Sequence, residues 1–292
     1  MTDATHKPLS ANIAPVTNRP HYDRSALSYA GSFENRYQRG VIRTIEMLTG
    51  KISIARLVRQ FERQGMPRGQ EVFTRILTTM GIDLNTPQAE LANIPREGPV
   101  VLVANHPHGL VDGVVLAELI GRIRSDYRIL TRSLLTGLDE EATSFMIPVP
   151  FPHQSDAQEK MVEMRSQAME FLGKGGLVAL FPSGTVAASS TMFGPAEEAP
   201  WNAFTAKLIR KSGATVVPMF FEGSNSRAYQ IANQISATLR QGLLIHEIAR
   251  AVNKPMAPII GAPFDPAEVN TRMGDTREFM AWLRETTINL SR

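Results

Sequence analysis

Val100-Val101-Leu102-Val103-Ala104 is an unbroken apolar run that ends in Asn105-His106-Pro107-His108-Gly109-Leu110-Val111-Asp112-Gly113. A strand without polar alternation is one buried on both faces, and the helical pattern over 114–124 that follows makes the polar stretch a strand-to-helix loop. The same grammar recurs outward. Strands are expected over 127–131, 177–181, 215–221 and near 258–261. Helices are expected over 156–172, 203–212, 231–251 and from about Thr276, behind an Asp275 cap with Glu278 three residues on. Near-continuous apolar strands between helices predict an α/β fold, with a mostly parallel central sheet and helices on both faces. In such sheets ligands sit where strands end and loops begin.

Before this core, 32–81 reads as two or three amphipathic helices, with Val41, Ile45, Leu48, Ile52, Ile54, Leu57, Val58 and Phe61 near helical spacing. Arg36, Arg39, Arg43, Lys51, Arg56, Arg59, Arg63 and Arg68 face only Glu46 and Glu62 there, a local excess of six positive charges in a chain whose net charge is +3. Such a helical basic region is either a solvated polar face or a surface drawn to anionic membrane lipid. The first 28 residues carry three prolines and no apolar h-region, so they read as a loose arm rather than a signal peptide or anchor. The expected organisation is a flexible arm over 1–28, a helical region packed on the core over 29–95, and an α/β core with C-terminal helices over 96–292. The 292 residues are 43% hydrophobic, ample for such a core. No run approaches the roughly 18 to 20 apolar residues of a membrane span. Without cysteine there is neither a thiolate nucleophile nor a Cys-ligated metal, and a cytoplasmic address is the simplest.

Two imidazoles and a carboxylate within seven residues point to proton transfer. A carboxylate accepting from one imidazole nitrogen orients the ring and stabilises the imidazolium formed when the other nitrogen takes a proton. The blander alternative is that Asp112 caps the helix while the histidines lie on an exposed loop. Three other strand exits are polar. Phe181-Pro182-Ser183-Gly184-Thr185 offers backbone N–H groups and two hydroxyls to a developing negative oxygen. Phe221-Glu222-Gly223-Ser224-Asn225-Ser226-Arg227 adds Glu222, Asn225 and Arg227, and Thr131-Arg132 places a guanidinium suited to phosphate.

In order, these blocks resemble the glycerolipid (lysophospholipid) acyltransferase superfamily, PlsC-like proteins whose first block is Asn-His followed by Asp, whose third reads Phe-Pro-x-Gly-Thr, and whose fourth is an apolar strand ending in Val-Pro. The likeness is greatest to a bacterial branch labelled hemolysin or lyso-ornithine-lipid acyltransferase, with Asn-His-Pro-x-Gly-x-x-Asp-Gly matched by Asn105 to Gly113 and Phe-Glu-Gly-x-Asn-Ser matched by Phe221 to Ser226. It covers about residues 97–263. The resemblance implies transfer of a fatty acyl group from a thioester, acyl-CoA or acyl carrier protein, to a hydroxyl of a lyso-lipid acceptor, with His106 as general base and Asp112 as its partner. It implies no covalent acyl-enzyme, no metal and no cofactor beyond the acyl-thioester co-substrate. Asn105, His108, Gly109, Arg132, Ser183, Gly184, Thr185, Glu222, Asn225 and Arg227 are the expected substrate-binding positions, and the amides near Gly109 or Ser183 to Thr185 the expected oxyanion donors. The location implied is peripheral membrane, with an anionic lipid surface as partner and no nucleic acid.

Two departures stand out. The His-Asp spacing has five intervening residues where four are commoner, which leaves His108 as an alternative base. Ser183 and Val186 stand where the commoner Phe-Pro-Glu-Gly-Thr-Arg block has the Glu and Arg that contact a glycerol phosphate, leaving Arg132 or Arg227 to supply positive charge. Two other classes compete: a metal-dependent hydrolase using His106, His108 and Asp112, and a non-catalytic basic lipid-binding protein. For the first, the Asp offset is wrong for a His-x-His-x-Asp-His cluster, and Arg250 stands where a zincin helix opened by His246-Glu247 needs its second His.

Overall fold

The computed structural model describes residues 28–32, 35–65, 67–131, 140–150 and 156–290. After a short 3-10 turn, Tyr29–Ser32, three helices follow: α1 (Arg36–Thr49), α2 (Lys51–Arg63) and α3 (Glu71–Met80), with a single turn, α4 (Gln88–Leu91), leading to the sheet. The first half of the core is β1 (Val100–Ala104), α5 (Leu110–Gly121), β2 (Tyr127–Thr131), α6 (Glu140–Ser144), β3 (Met146–Pro148) and α7 (Ala157–Gly173). Then come β4 (Leu177–Leu180), a small hairpin β5 (Ala188–Ser189) and β6 (Ala196–Glu197), α8 (Ala203–Ser212) and β7 (Thr215–Phe220). The chain closes with α9 (Arg227–Ile235), α10 (Ala237–Gly242), α11 (Leu244–Ala251), β8 (Ile259–Ile260), α12 (Pro266–Arg272) and α13 (Thr276–Ile288).

The main sheet runs β3-β2-β4-β1-β7-β8, parallel throughout except for β8, which pairs antiparallel with β7. The expected α/β fold with a mostly parallel sheet is the one observed. Successive side chains of a strand face opposite sides, so β1 feeds two cores. Val100, Leu102 and Ala104 pack with α3, α5 and α11; Val101 and Val103 pack with α7, α8 and α13. Each fully buried valine or leucine contributes roughly 1.5 to 3 kcal/mol. Pro218 is tolerated inside β7 because its carbonyl accepts from Gly261 on the β8 side, so its missing N–H falls toward a strand only two residues long.

The helices differ from expectation in two places. The helix expected over 231–251 is three: Ser236 leaves helical geometry at φ −164°, ψ 134° and caps α10 by accepting from Thr238 N–H. Gly242 then passes so close to Ile45 that an added Cβ would lie 3.1 Å from it. The helix expected from 114 begins at Leu110, which brings Asp112 and Gly113 out of the loop and into its first turn.

Candidate active site

β2, β4, β1 and β7 are parallel, so their carboxyl ends share one edge, and β1 lies between β4 and β7. At that edge Asn105 ties two strands together: its Nδ2 donates to the Phe221 carbonyl at 2.8 Å and its Oδ1 accepts from Phe221 N–H at 2.7 Å. The chain then turns through Gly109, whose φ of 84° and ψ of −125° suit glycine, and enters α5.

Asp112 sits at the third position of that helix, fully buried, where a carboxylate complements the unpaired N–H groups. Its Oδ2 accepts from Gly109 N–H at 3.0 Å, His108 N–H at 2.8 Å and His106 Nδ1 at 3.0 Å; its Oδ1 accepts from His108 Nδ1 at 3.0 Å. The capping and orienting readings are therefore both realised by one side chain. Burial, the largest single influence, pushes the Asp112 pKa up; the hydrogen bonds of His106 and His108 and the charge of both rings outweigh it and hold the carboxyl at about 2. An ionised carboxylate only accepts, so each ring carries a proton on Nδ1, the nitrogen bonded to Asp112, which leaves Nε2 as the other ring nitrogen.

The two rings differ in what else they meet. His106 stacks on Phe181, ring centroids 3.9 Å apart and 18° from parallel. His108 lies against Gly223, where a Cβ would come within 3.0 Å of Nε2. Burial pulls the His108 pKa down, but the hydrogen bond and charge of Asp112, with Glu247 behind it, leave it raised overall.

The remaining expected positions divide. Phe221 to Ser226 is fastened to α11, because Glu247 accepts from both the N–H and the hydroxyl of Ser226. Within this stretch Asn225 is buried with Nδ2 unpaired, while Glu222 is exposed. Ser183, Gly184 and Thr185 form a turn at the β4 exit, with the Ser183 hydroxyl donating to the Thr185 carbonyl. Arg227 is exposed and donates to the Gly194 carbonyl. Arg132 lies outside the described residues. Of the amides expected to hold an oxyanion, those of His108 and Gly109 serve Asp112, that of Gly184 closes the turn on Phe181 O at 3.0 Å, and that of Thr185 reaches the Ser183 hydroxyl only at 3.5 Å. Among the described residues no group of three His, Cys, Asp or Glu side chains is arranged to hold a metal ion, and His246 Nδ1 lies 3.0 Å from the Thr49 carbonyl oxygen instead.

A family profile described as Acyltransferase matches residues 30–256, from ahead of α1 to just short of β8. The chain belongs to this acyltransferase family. It is also 30% identical over 182 residues to the lyso-glycine lipid O-acyltransferase of Phocaeicola vulgatus, a match covering 59% of this chain and 62% of that protein's length. A crystal structure of the 1-acyl-sn-glycerophosphate (LPA) acyltransferase PlsC from Thermotoga maritima is similar over 90% of this chain and 87% of the other, at 15% identity and a TM-score of 0.49.

Three parts of this candidate site escape sequence reading. Phe181 reads as the last apolar residue of a strand, yet it is the platform under His106. Glu198 carries no motif, and Glu247 enters only through the incomplete zincin pattern with His246; both are buried and bonded to the loops after β1 and β7 across 92 and 21 residues of sequence. Gly223 did carry a signal, since a glycine between a strand end and polar residues marks either a turn or a close approach.

Proposed function

We propose that the protein is an O-acyltransferase that moves a fatty acyl group from an acyl thioester, on coenzyme A or acyl carrier protein, to a hydroxyl of a lyso-lipid. The observation that carries this reading is the buried Asp112 carboxylate holding both imidazoles by Nδ1. His106 Nε2 removes the proton as the acceptor oxygen attacks the thioester carbonyl, and Asp112 stabilises the imidazolium. The tetrahedral oxyanion collapses, the C–S bond breaks, and the departing sulfur takes the proton back from His106. No acyl-enzyme forms. His108, whose ring Asp112 also holds by Nδ1 and whose pKa that contact helps to raise, serves the oxyanion from Nε2–H when protonated.

The P. vulgatus relative, whose name specifies a lyso-glycine lipid, supports an acceptor with an amino-acid headgroup. Ser183 and Val186 at the β4 turn support the same choice over a glycerol phosphate. Asn225 and Arg227 on the neighbouring β7 loop, with Arg132, are the groups proposed to meet the headgroup.

The protein works as a peripheral membrane enzyme in this reading. Among the described residues no helix is long and apolar enough to cross a membrane. Of the eight large apolar side chains left exposed among them, four lie on α1 and α2: Tyr37, Met47, Leu48 and Ile52. They are interleaved with exposed Arg36, Arg43, Lys51, Arg56, Arg59 and Arg63. Apolar anchors amid basic residues fit a helix pair lying on anionic lipid.

Purified protein incubated with a labelled acyl thioester and a panel of lyso-lipids tests this directly. The expected product is a diacylated amino-acid lipid, formed by the wild type and not by His106→Ala. Thioester hydrolysis without transfer, or lipid binding without turnover, overturns the proposal.

A further inference from the structure

The His106 peptide is gripped from both sides by a single excursion of chain. After β4 the chain leaves the main sheet, makes the β5-β6 hairpin and returns to α8. On the outgoing leg, Ala187 N–H donates to the His106 carbonyl at 2.8 Å. On the returning leg, Glu198 Oε2 accepts from His106 N–H at 3.0 Å. Glu198 is only 8% exposed. Its other oxygen accepts from the buried Trp201 indole N–H at 3.2 Å, and its own carbonyl accepts from the Arg284 guanidinium on α13.

A buried carboxylate whose donors are one peptide N–H and one indole N–H is an expensive way to satisfy an amide, because its desolvation is only partly recovered. A hydroxyl or a carboxamide would satisfy the amide at less cost. What a carboxylate adds is a stronger, charge-assisted bond. Asp112 fixes the ring through Nδ1 and Phe181 fixes its plane, but neither fixes the backbone that carries it. We propose that Glu198 is a positioning residue for acyl transfer, holding the His106 main chain so that Nε2 meets the acceptor hydroxyl. This rests on the reading of His106 as the base.

The test is steady-state acyl transfer by wild type, Glu198→Ala, Glu198→Gln and His106→Ala, with kcat and KM measured for both substrates. Displacing a reacting group by about 1 Å costs up to ~100-fold, so Glu198→Ala is expected to lower kcat between about 10- and 100-fold with KM for both substrates within about twofold. Glu198→Gln, which keeps one oxygen for His106 N–H, is expected to recover to within about fivefold of wild type. A merely structural residue would not give a loss confined to kcat that the carboxamide variant rescues.

Wild-type kcat in Glu198→Ala, or a loss carried by KM rather than kcat, overturns the proposal; if that variant does not fold, a kcat more than about fivefold below wild type in folded Glu198→Gln does the same. His106→Ala separates the two levels. Full activity there removes the base assignment itself, whereas an inactive His106→Ala beside an unaffected Glu198→Ala removes only the positioning role.

Discussion

Asp112 and the arginines of α2 carry charge in opposite ways. Asp112 is fully buried and its two oxygens receive four N–H donors, from two rings and two amides of its own loop. Arg56, Arg59 and Arg63 are exposed and form no ion pair with any described residue. A charge whose partners all come from within spends its interaction energy on geometry. One left open is available to something outside the chain. The first arrangement suits proton transfer, which needs a fixed ring; the second suits adhesion, which needs only proximity.

The largest effect expected concerns the first. Asp112→Asn replaces one acceptor oxygen by a donor and leaves the rings without control of their tautomers, so turnover should fall on the order of 10³- to 10⁴-fold. His106→Ala should fall at least as far, and His108→Gln by less. Kinetics on folded variants checks the order; a His108 variant more damaged than His106→Ala would exchange the roles of the two rings.

A smaller effect lies in stability. Asp112 is held at about 2 against an ordinary 3.8, so the folded state gains about 2 kcal/mol, fully present above pH ~4 and lost as pH falls toward 2. His108 has the opposite sign. Its raised pKa stabilises the fold below its ordinary 6.5, and that contribution is lost as pH rises through the folded value. Denaturant unfolding of wild type and Asp112→Asn between pH 2 and 5 should converge at the acid end; parallel curves across that range would show the carboxylate to be unpaired.

The same contrast explains what the amino-acid order disclosed. β1 and its polar exit were legible because an apolar run and a crowd of His, Asn and Asp lie side by side, and α8 because Asn202 caps its start and Gly213 its end. Asp112 was legible as a partner for His106, but not as a partner for both rings, since that depends on Gly109 folding the loop back over the first turn of α5. β3 is three residues long and the β5-β6 pair two residues each, too short for periodicity to register. Glu198 and Glu247 were hidden for a different reason. A charged side chain is normally solvated, and only tertiary packing reveals that these two are enclosed with main-chain donors.

The mildest expected effect belongs to the open charges. A basic residue near anionic headgroups contributes on the order of 1 kcal/mol, so each of Arg56→Gln, Arg59→Gln and Arg63→Gln should weaken binding to anionic vesicles by about fivefold. The loss should shrink as salt is raised, because surface charges are screened beyond about 10 Å at 0.1 M. Leu48→Ser and Ile52→Ser provide the contrasting arm. They remove apolar anchors rather than charge, so they should weaken binding to neutral and anionic vesicles alike and respond little to salt. Vesicle sedimentation separates the two patterns. If the arginine variants partition like wild type at every salt concentration, α2 presents a solvated face and the acceptor lipid must reach His106 by another side of the molecule. If only the apolar variants fail, α1 and α2 still lie on the bilayer, held by hydrophobic burial without selecting the headgroup charge beneath them.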